Sequence, residues 1–130
     1  MSLFLIILAA GNSKRLKSSI PKPFHVTNNR TLLEHSFNAF KNFYEIKKTI
    51  IVYNKKHKKY LNKLNLKSAI KIMGGRTRQE STFIALKKIK KMNCTKVLIH
   101  DSARPNPSKN LVNKVIYNLK KNHAVVPVIK

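Results

Sequence analysis

Acidic residues are almost missing from this chain. Four aspartates and glutamates stand against 28 lysines and arginines, a formal charge of +24 over 130 residues. Such a field favours polyanions of every kind and raises their encounter rate at low salt, so nucleotides, nucleic acids and anionic membranes all enter as partners to weigh. The excess is mostly lysine, spread along the whole sequence with abundant asparagine and isoleucine, which reads as a compositional bias rather than a focused patch. Aromatics make up 8% and are not interleaved with the lysines, and no helix-turn-helix or RNA-binding motif is present. A nucleic-acid-binding domain is therefore the weaker reading, and no nucleic-acid or membrane partner is expected. Cysteine is confined to Cys94, which excludes an internal disulfide and a cysteine-based zinc cluster and fits a reducing, cytoplasmic setting. Long hydrophobic runs are lacking too. The apolar opening, residues 3–10, is too short for a bilayer, and no cationic segment precedes it as in a secretion signal. A strand buried on both faces of a parallel sheet explains it better.

What is present is the size of one domain, 1–130, with 42% hydrophobic residues to build a core. Residues 31–43 ("TLLEHSFNAFKNF") have helical apolar spacing, and Thr31 can cap the helix with Glu34 three residues on. "KTIIVYN" reads as a strand, "KKHKKYLNKLN" as a lysine-rich helix and "AIKIM" as a short strand. Residues 78–92 are predicted helical with Phe83, Leu86 and Ile89 inward, "KVLIH" is a strand, residues 108–121 form a helix around Leu111, Val115 and Leu119, and "AVVPV" is a last strand. Alternation of strand and helix predicts an α/β fold, a mostly parallel sheet with helices on both faces and ligands at the carboxyl ends of its strands.

Scarcity makes the candidate site legible. The three glycines are Gly11, Gly74 and Gly75, at two strand ends, and the lone aspartate, Asp101, stands at a third. Of the arginines, Arg15, Arg76, Arg78 and Arg104 lie in the same loops or at a helix start, where a bidentate fork can hold an anion. In "AAGNSKR" a glycine straight after a buried strand lets the backbone turn and approach a ligand, with Lys14 and Arg15 adding charge. Neither a Walker loop nor a dinucleotide fingerprint is present. "IPKPF" sets Lys22 between two prolines that limit its conformations. "MGGRTRQES" places Arg78 and Ser81 on the first turn of a helix, beside glycines that leave room for a flat base. Asp101 could accept a hydrogen bond from a hydroxyl, bind Mg²⁺ or cap a turn. His100 reads as a strand-end residue satisfied locally and takes no role.

Together, "AAG…KR…PKPF", "LLEHSF", "GGRTRQES" and "HDSARP", in this order and spacing, resemble the 2-C-methyl-D-erythritol 4-phosphate cytidylyltransferases of the non-mevalonate isoprenoid pathway. The resemblance runs over nearly the whole chain and implies a Rossmann-like nucleotidyltransferase fold. The reaction it implies joins CTP and a polyol phosphate into a CDP-polyol and pyrophosphate, with Mg²⁺ held mainly by the CTP phosphates and no protein metal ligand. Carried onto matching positions, it implies that the backbone of Ala9, Ala10 and Gly11 holds the triphosphate. Arg15 and Lys22 would stabilise charge on the α-phosphate. Gly74, Gly75, Arg78, Ser81 and Ser102 would hold cytosine and ribose, while Asp101 and Arg104 would face the polyol phosphate.

The resemblance departs at Ser13, where the family usually has a second glycine. It also implies further strands, a projecting arm that forms a homodimer and a late segment with another lysine and threonines, none of which this sequence contains. The domain is thus expected to be incomplete at its C-terminal side, leaving residues 124–129 as an exposed sheet edge. Ribitol-5-phosphate cytidylyltransferases share these motifs closely, and a CTP-binding remnant without catalysis is the other alternative.

Overall fold

The computed structural model describes residues 1–11 and 19–128. Its centre is β1 (Leu3–Ala9), in which every residue is buried. β1 is flanked on both sides by parallel neighbours, so its backbone groups are paired along both edges and both its faces are free to pack. The hairpin of β2 (Val26–Thr27) and β3 (Arg30–Thr31) leads into α1 (Leu32–Ala39); β4 (Ile46–Tyr53), the short α2 (Lys58–Leu61), β5 (Ile70–Met73), α3 (Arg78–Lys90), β6 (Lys96–Asp101) and α4 (Lys109–Leu119) follow. The main sheet has the order β5-β4-β1-β6, all parallel.

Strand alternation splits the core in two. Leu3, Leu5, Ile7 and Ala9 pack with Leu33 of α1, Leu61 of α2 and Val112, Ile116 and Leu119 of α4. Phe4, Ile6 and Leu8 pack with Ala85 and Ile89 of α3 on the opposite face. Helices therefore cover both faces, as the alternating pattern predicts. Each such buried side chain contributes on the order of 1.5–3 kcal/mol, so β1 is the most heavily weighted segment of the fold.

Local signals explain the element ends. Thr31 Oγ1 accepts the Glu34 N–H at 3.1 Å while Glu34 Oε1 accepts the Thr31 N–H at 3.0 Å, the capping box expected from the sequence. Asn28 and Asn29 have φ of 50° and 65°, the paired left-handed conformation of a two-residue hairpin turn. That hairpin lies within a stretch whose sequence reads only as a long loop. Asn93, with φ 59°, turns the chain away just beyond α3.

Three expectations are corrected. Residues 124–128 form no strand: Pro127 has no N–H to give a ladder, and Val125 packs against the core beside α4 instead. The edge of the main sheet on that side is β6 itself. Residues 55–65 give a 3₁₀ turn, Lys55–His57, and the four-residue α2 rather than one helix, because lysines four apart, such as Lys55 and Lys59, repel and few apolar residues anchor the segment. The buried stripes are also rotated. On α3 they are Ser81, Ala85 and Ile89 with Phe83 64% exposed, and on α4 Val112, Ile116 and Leu119 with Leu111 outward. In both helices apolar residues occur on neighbouring stripes, and Ile89 and Leu119 are the predicted positions that are buried as expected.

Candidate functional site

In a parallel sheet every strand ends on the same side, and the chain order here reverses between β1 and β6. Connections run outward from β1 to β4 and β5, then return across the sheet to β6. A crevice opens where that reversal occurs, at the carboxyl ends of the two strands. A cavity of about 160 Å³ occupies this place, lined by Leu8, Ala10, Gly11, Arg76, Thr77, Arg78, Ser81 and Asp101.

Each wall has a local cause. At the end of β1, the Ala10 carbonyl accepts the Asn54 side-chain N–H at 3.1 Å, which ties the turn after β1 to the turn after β4. Gly74 continues β5 and donates its N–H to Tyr53 O at 2.8 Å. A Cβ built on Gly74 would lie 2.6 Å from Ser81 Oγ, 2.7 Å from Ala10 Cβ and 3.0 Å from Val52 Cγ1. No glycine in the chain has a positive φ, so what matters here is the missing side chain and not backbone freedom. At Gly75 the obstacle would be the Glu80 side chain, which accepts the Arg76 N–H through Oε2 at 3.1 Å. Among the described residues nothing lies within 4 Å of a Cβ built on Gly11.

The start of α3 is fixed twice over. Thr77 Oγ1 caps it by accepting the Glu80 N–H at 3.0 Å, and buried Ser81 Oγ accepts the Gly75 N–H at 3.0 Å. The helix therefore brings the positive end of its dipole, with Arg76 and Arg78, to the cavity. Arg78 Nε donates to Asp101 Oδ1 at 3.2 Å, with Nη2 also at 3.2 Å, and Arg104 Nε stands 3.8 Å from Oδ2 of the same carboxylate. One aspartate thus sits between two guanidinium groups, both exposed enough to exchange that partner for an incoming anion. Such a wall suits phosphate groups and the edge of a sugar or base.

Most of the sequence-predicted residues meet here. Ala10, Gly11, Arg78, Ser81 and Asp101 line the cavity, and Gly74 and Gly75 touch it through Ser81. Ala9 belongs to the core by its side chain, and only its backbone faces the strand end. Ser102 is buried and donates its N–H to Leu8 O at 3.0 Å, while Arg104 lies at the rim. Lys22 is exposed on a 3₁₀ turn between buried Pro21 and Pro23, outside the cavity lining. Arg15 falls outside the described residues, with Ser13 and Lys14. Arg76, one of the arginines that the sequence places in these loops, also lines the cavity; Thr77 carries no binding signal in the sequence although it stands inside "GGRTRQES", and Asn54 carries none at all. His100 is satisfied locally, its Nε2–H donating to Arg104 O at 2.6 Å, and burial pushes its pKa below the usual histidine value.

An open parallel sheet, helices on both faces and a cationic, glycine-edged crevice at the reversal point define the chain as an α/β protein of the Rossmann-like nucleotidyltransferase class. The family model of 2-C-methyl-D-erythritol 4-phosphate cytidylyltransferase matches residues 3–130, and the chain belongs to that family. It is 47% identical over 130 residues to the bifunctional enzyme IspD/IspF of Pelagibacter ubique, covering all of this chain and 35% of that protein. It is 38% identical to the 2-C-methyl-D-erythritol 4-phosphate cytidylyltransferase of Wigglesworthia glossinidia brevipalpis, covering 88% of this chain and 50% of that one. Among solved structures, the bifunctional IspDF from Campylobacter jejuni superposes with a TM-score of 0.76 at 34% identity, covering 93% of this chain and 31% of that chain. The Francisella tularensis enzyme gives 0.74 at 26% identity, with coverages of 95% and 54%. The chain spans between about a third and a half of the length of these relatives.

Proposed function

We propose that this chain is a cytidylyltransferase that transfers CMP from CTP to 2-C-methyl-D-erythritol 4-phosphate, releasing pyrophosphate, in isoprenoid precursor synthesis. The observation that carries this reading is the meeting of Ala10, Gly11, Arg78, Ser81 and Asp101 around one cavity at the β1/β6 reversal. Attack of a phosphate oxygen on the α-phosphorus of CTP needs no protein nucleophile. It needs two anions held in line and the growing charge balanced. In this reading the turn after β1 receives the triphosphate and the Gly74–Ser81 side receives cytosine and ribose. Ser102 contributes to the nucleotide side through its place between β1 and the loop. Arg15 and Lys22 stabilise the α-phosphate, and Asp101 and Arg104 meet the acceptor.

Mg²⁺ fits this donor set in one way only. No group of three or more histidines, cysteines or acids is assembled among the described residues, and Asp101 is the one carboxylate lining the cavity. The ion would be held mainly by phosphate oxygens and water, with the Asp101 carboxylate beside them in the cavity wall, the habit of a cation that dehydrates reluctantly. It would draw charge from the phosphates as the bond to pyrophosphate breaks.

A cytoplasmic location and a homodimer belong to the same reading. No helix among the described residues is long and apolar enough to cross a membrane. The family match favours methylerythritol phosphate over ribitol phosphate as acceptor. Phosphorus NMR of the chain with CTP, Mg²⁺ and methylerythritol phosphate tests the proposal: CDP-methylerythritol and pyrophosphate are expected. A folded chain that binds CTP and forms neither would leave it as a binding module.

A further inference from the structure

The loop after β6 carries Asp101 and Arg104, and its backbone is pinned from three elements. Ser102 N–H donates to Leu8 O of β1 at 3.0 Å, and Arg104 N–H closes a turn on Asp101 O at 3.1 Å. Two side chains complete the set. Ser36 of α1 is fully buried, and its Oγ lies 2.9 Å from Ser102 O and 3.4 Å from Arg104 O. A hydroxyl has one proton to give, so Ser102 O receives it. Arg104 O takes the His100 Nε2–H at 2.6 Å, and the His100 ring is held edge-on against Phe40, with centroids 5.0 Å apart at 66°. Both loop carbonyls thus have a donor, and each donor comes from a different element.

A serine at 0% exposure on the core face of a helix is costly unless its hydroxyl is satisfied, and an alanine would fill that place without the cost. Here the hydroxyl reaches carbonyls 66 and 68 residues along the chain. With the backbone fastened inward, the Asp101 and Arg104 side chains are left facing the cavity and its rim. We propose that Ser36 and His100 are positioning residues: they fix the backbone of residues 102–104 so that Asp101 and Arg104 meet the acceptor phosphate in one arrangement. The inference rests on the reading of Asp101 and Arg104 as the acceptor side of a cytidylyltransferase. His100 acts here as a hydrogen-bond donor through Nε2.

The test uses the whole chain with Ser36→Ala, His100→Leu and His100→Gln, the last retaining a side-chain N–H. Two readouts are taken: KM for methylerythritol phosphate beside KM for CTP, and amide hydrogen exchange of residues 102–106. Loss of either donor is expected to raise the acceptor KM and speed exchange in the loop by about five- to tenfold, the worth of one hydrogen bond, with the CTP KM within about twofold. His100→Gln is expected to recover most of both. Unchanged acceptor KM and loop exchange in Ser36→Ala and His100→Leu would overturn the proposal. So would an equal rise in both KM values, or a glutamine variant no better than leucine. If the unaltered chain transfers no CMP, the proposed function fails, and the exchange measurement still decides whether the two donors hold the loop.

Discussion

Replacing Gly74 with alanine sets a methyl group against Ser81 Oγ at 2.6 Å, Ala10 Cβ at 2.7 Å and Val52 Cγ1 at 3.0 Å. Val52 is fully buried and Ala10 packs on the same cluster, so neither can withdraw far. Overpacking of this kind costs about 1–3 kcal/mol. Ser81 Oγ is the atom best able to move, and moving it loosens its 3.0 Å bond from the Gly75 N–H, a further 0.5–1.5 kcal/mol or so. Because Gly74 does not have a positive φ, alanine also restricts the unfolded chain, an offset of roughly 0.4–1 kcal/mol. The net expectation is a loss of about 2 kcal/mol, or a fall in Tm of roughly 6–12 °C for a domain of this size. Any CTP held by Ser81 and Arg78 should bind at least about tenfold more weakly, since both stand on the turn that shifts. Gly11→Ala is the control, as nothing described lies within 4 Å of its new methyl group, and its Tm should change by no more than about 1 °C. Thermal melts and calorimetric titration with CTP read both effects. A Gly74→Ala chain with unaltered Tm and affinity would refute the argument that this glycine is required by close packing.

Lys22→Ala should lower turnover by a factor of about a hundred or more while the melting temperature holds within a few degrees, because Lys22 is exposed between two buried prolines; steady-state rates beside a melt check this. Thr31→Ala removes the two bonds of the Thr31 hydroxyl to Glu34 but keeps the bond from the Thr31 N–H to Glu34 Oε1, and should cost about 1 kcal/mol in a urea titration, with CTP affinity unchanged. Acidification should destabilise the fold below about pH 6.5. His57 is held below its ordinary pKa by burial and by Lys56, and His100 by burial, partly offset by its bond to Arg104 O and by Asp101. In both cases the unfolded chain takes up protons first, so stability is full above the unfolded pKa and is lost as pH falls toward the folded ones. A urea midpoint that rises between pH 7 and pH 5 would contradict this.

Much of the sheet is legible in the sequence because β1, β4 and β6 are apolar runs bounded by polar turns, and because the order of elements leaves few ways to arrange them. The site is legible for a different reason. In a chain that uses lysine for nearly every charge, the scarce glycines, the one aspartate and the arginines stand out, and loops after parallel strands share one edge. What is not legible depends on tertiary contact. "AVVPV" has strand composition, but a strand needs a neighbour's ladder, and Val125 finds a packing site first. The two apolar stripes on α3 and α4 are equivalent until the sheet selects one. The partners of Ser36 and Asn54 lie more than forty residues away, at 66 and 44 positions respectively, where no local pattern could reveal them.

The central claim is that the crevice between the ends of β1 and β6 binds CTP. Calorimetric titration of the chain and of Arg78→Ala with CTP, ATP and a short single-stranded oligonucleotide, at low and at physiological salt, tests it most directly. The account predicts saturable one-to-one binding of CTP, weaker binding of ATP, and loss of the CTP signal in Arg78→Ala with the fold intact. Binding that ignores the base, survives the substitution and collapses steeply with salt would instead place the +24 charge, and not the crevice, at the origin of any nucleotide affinity.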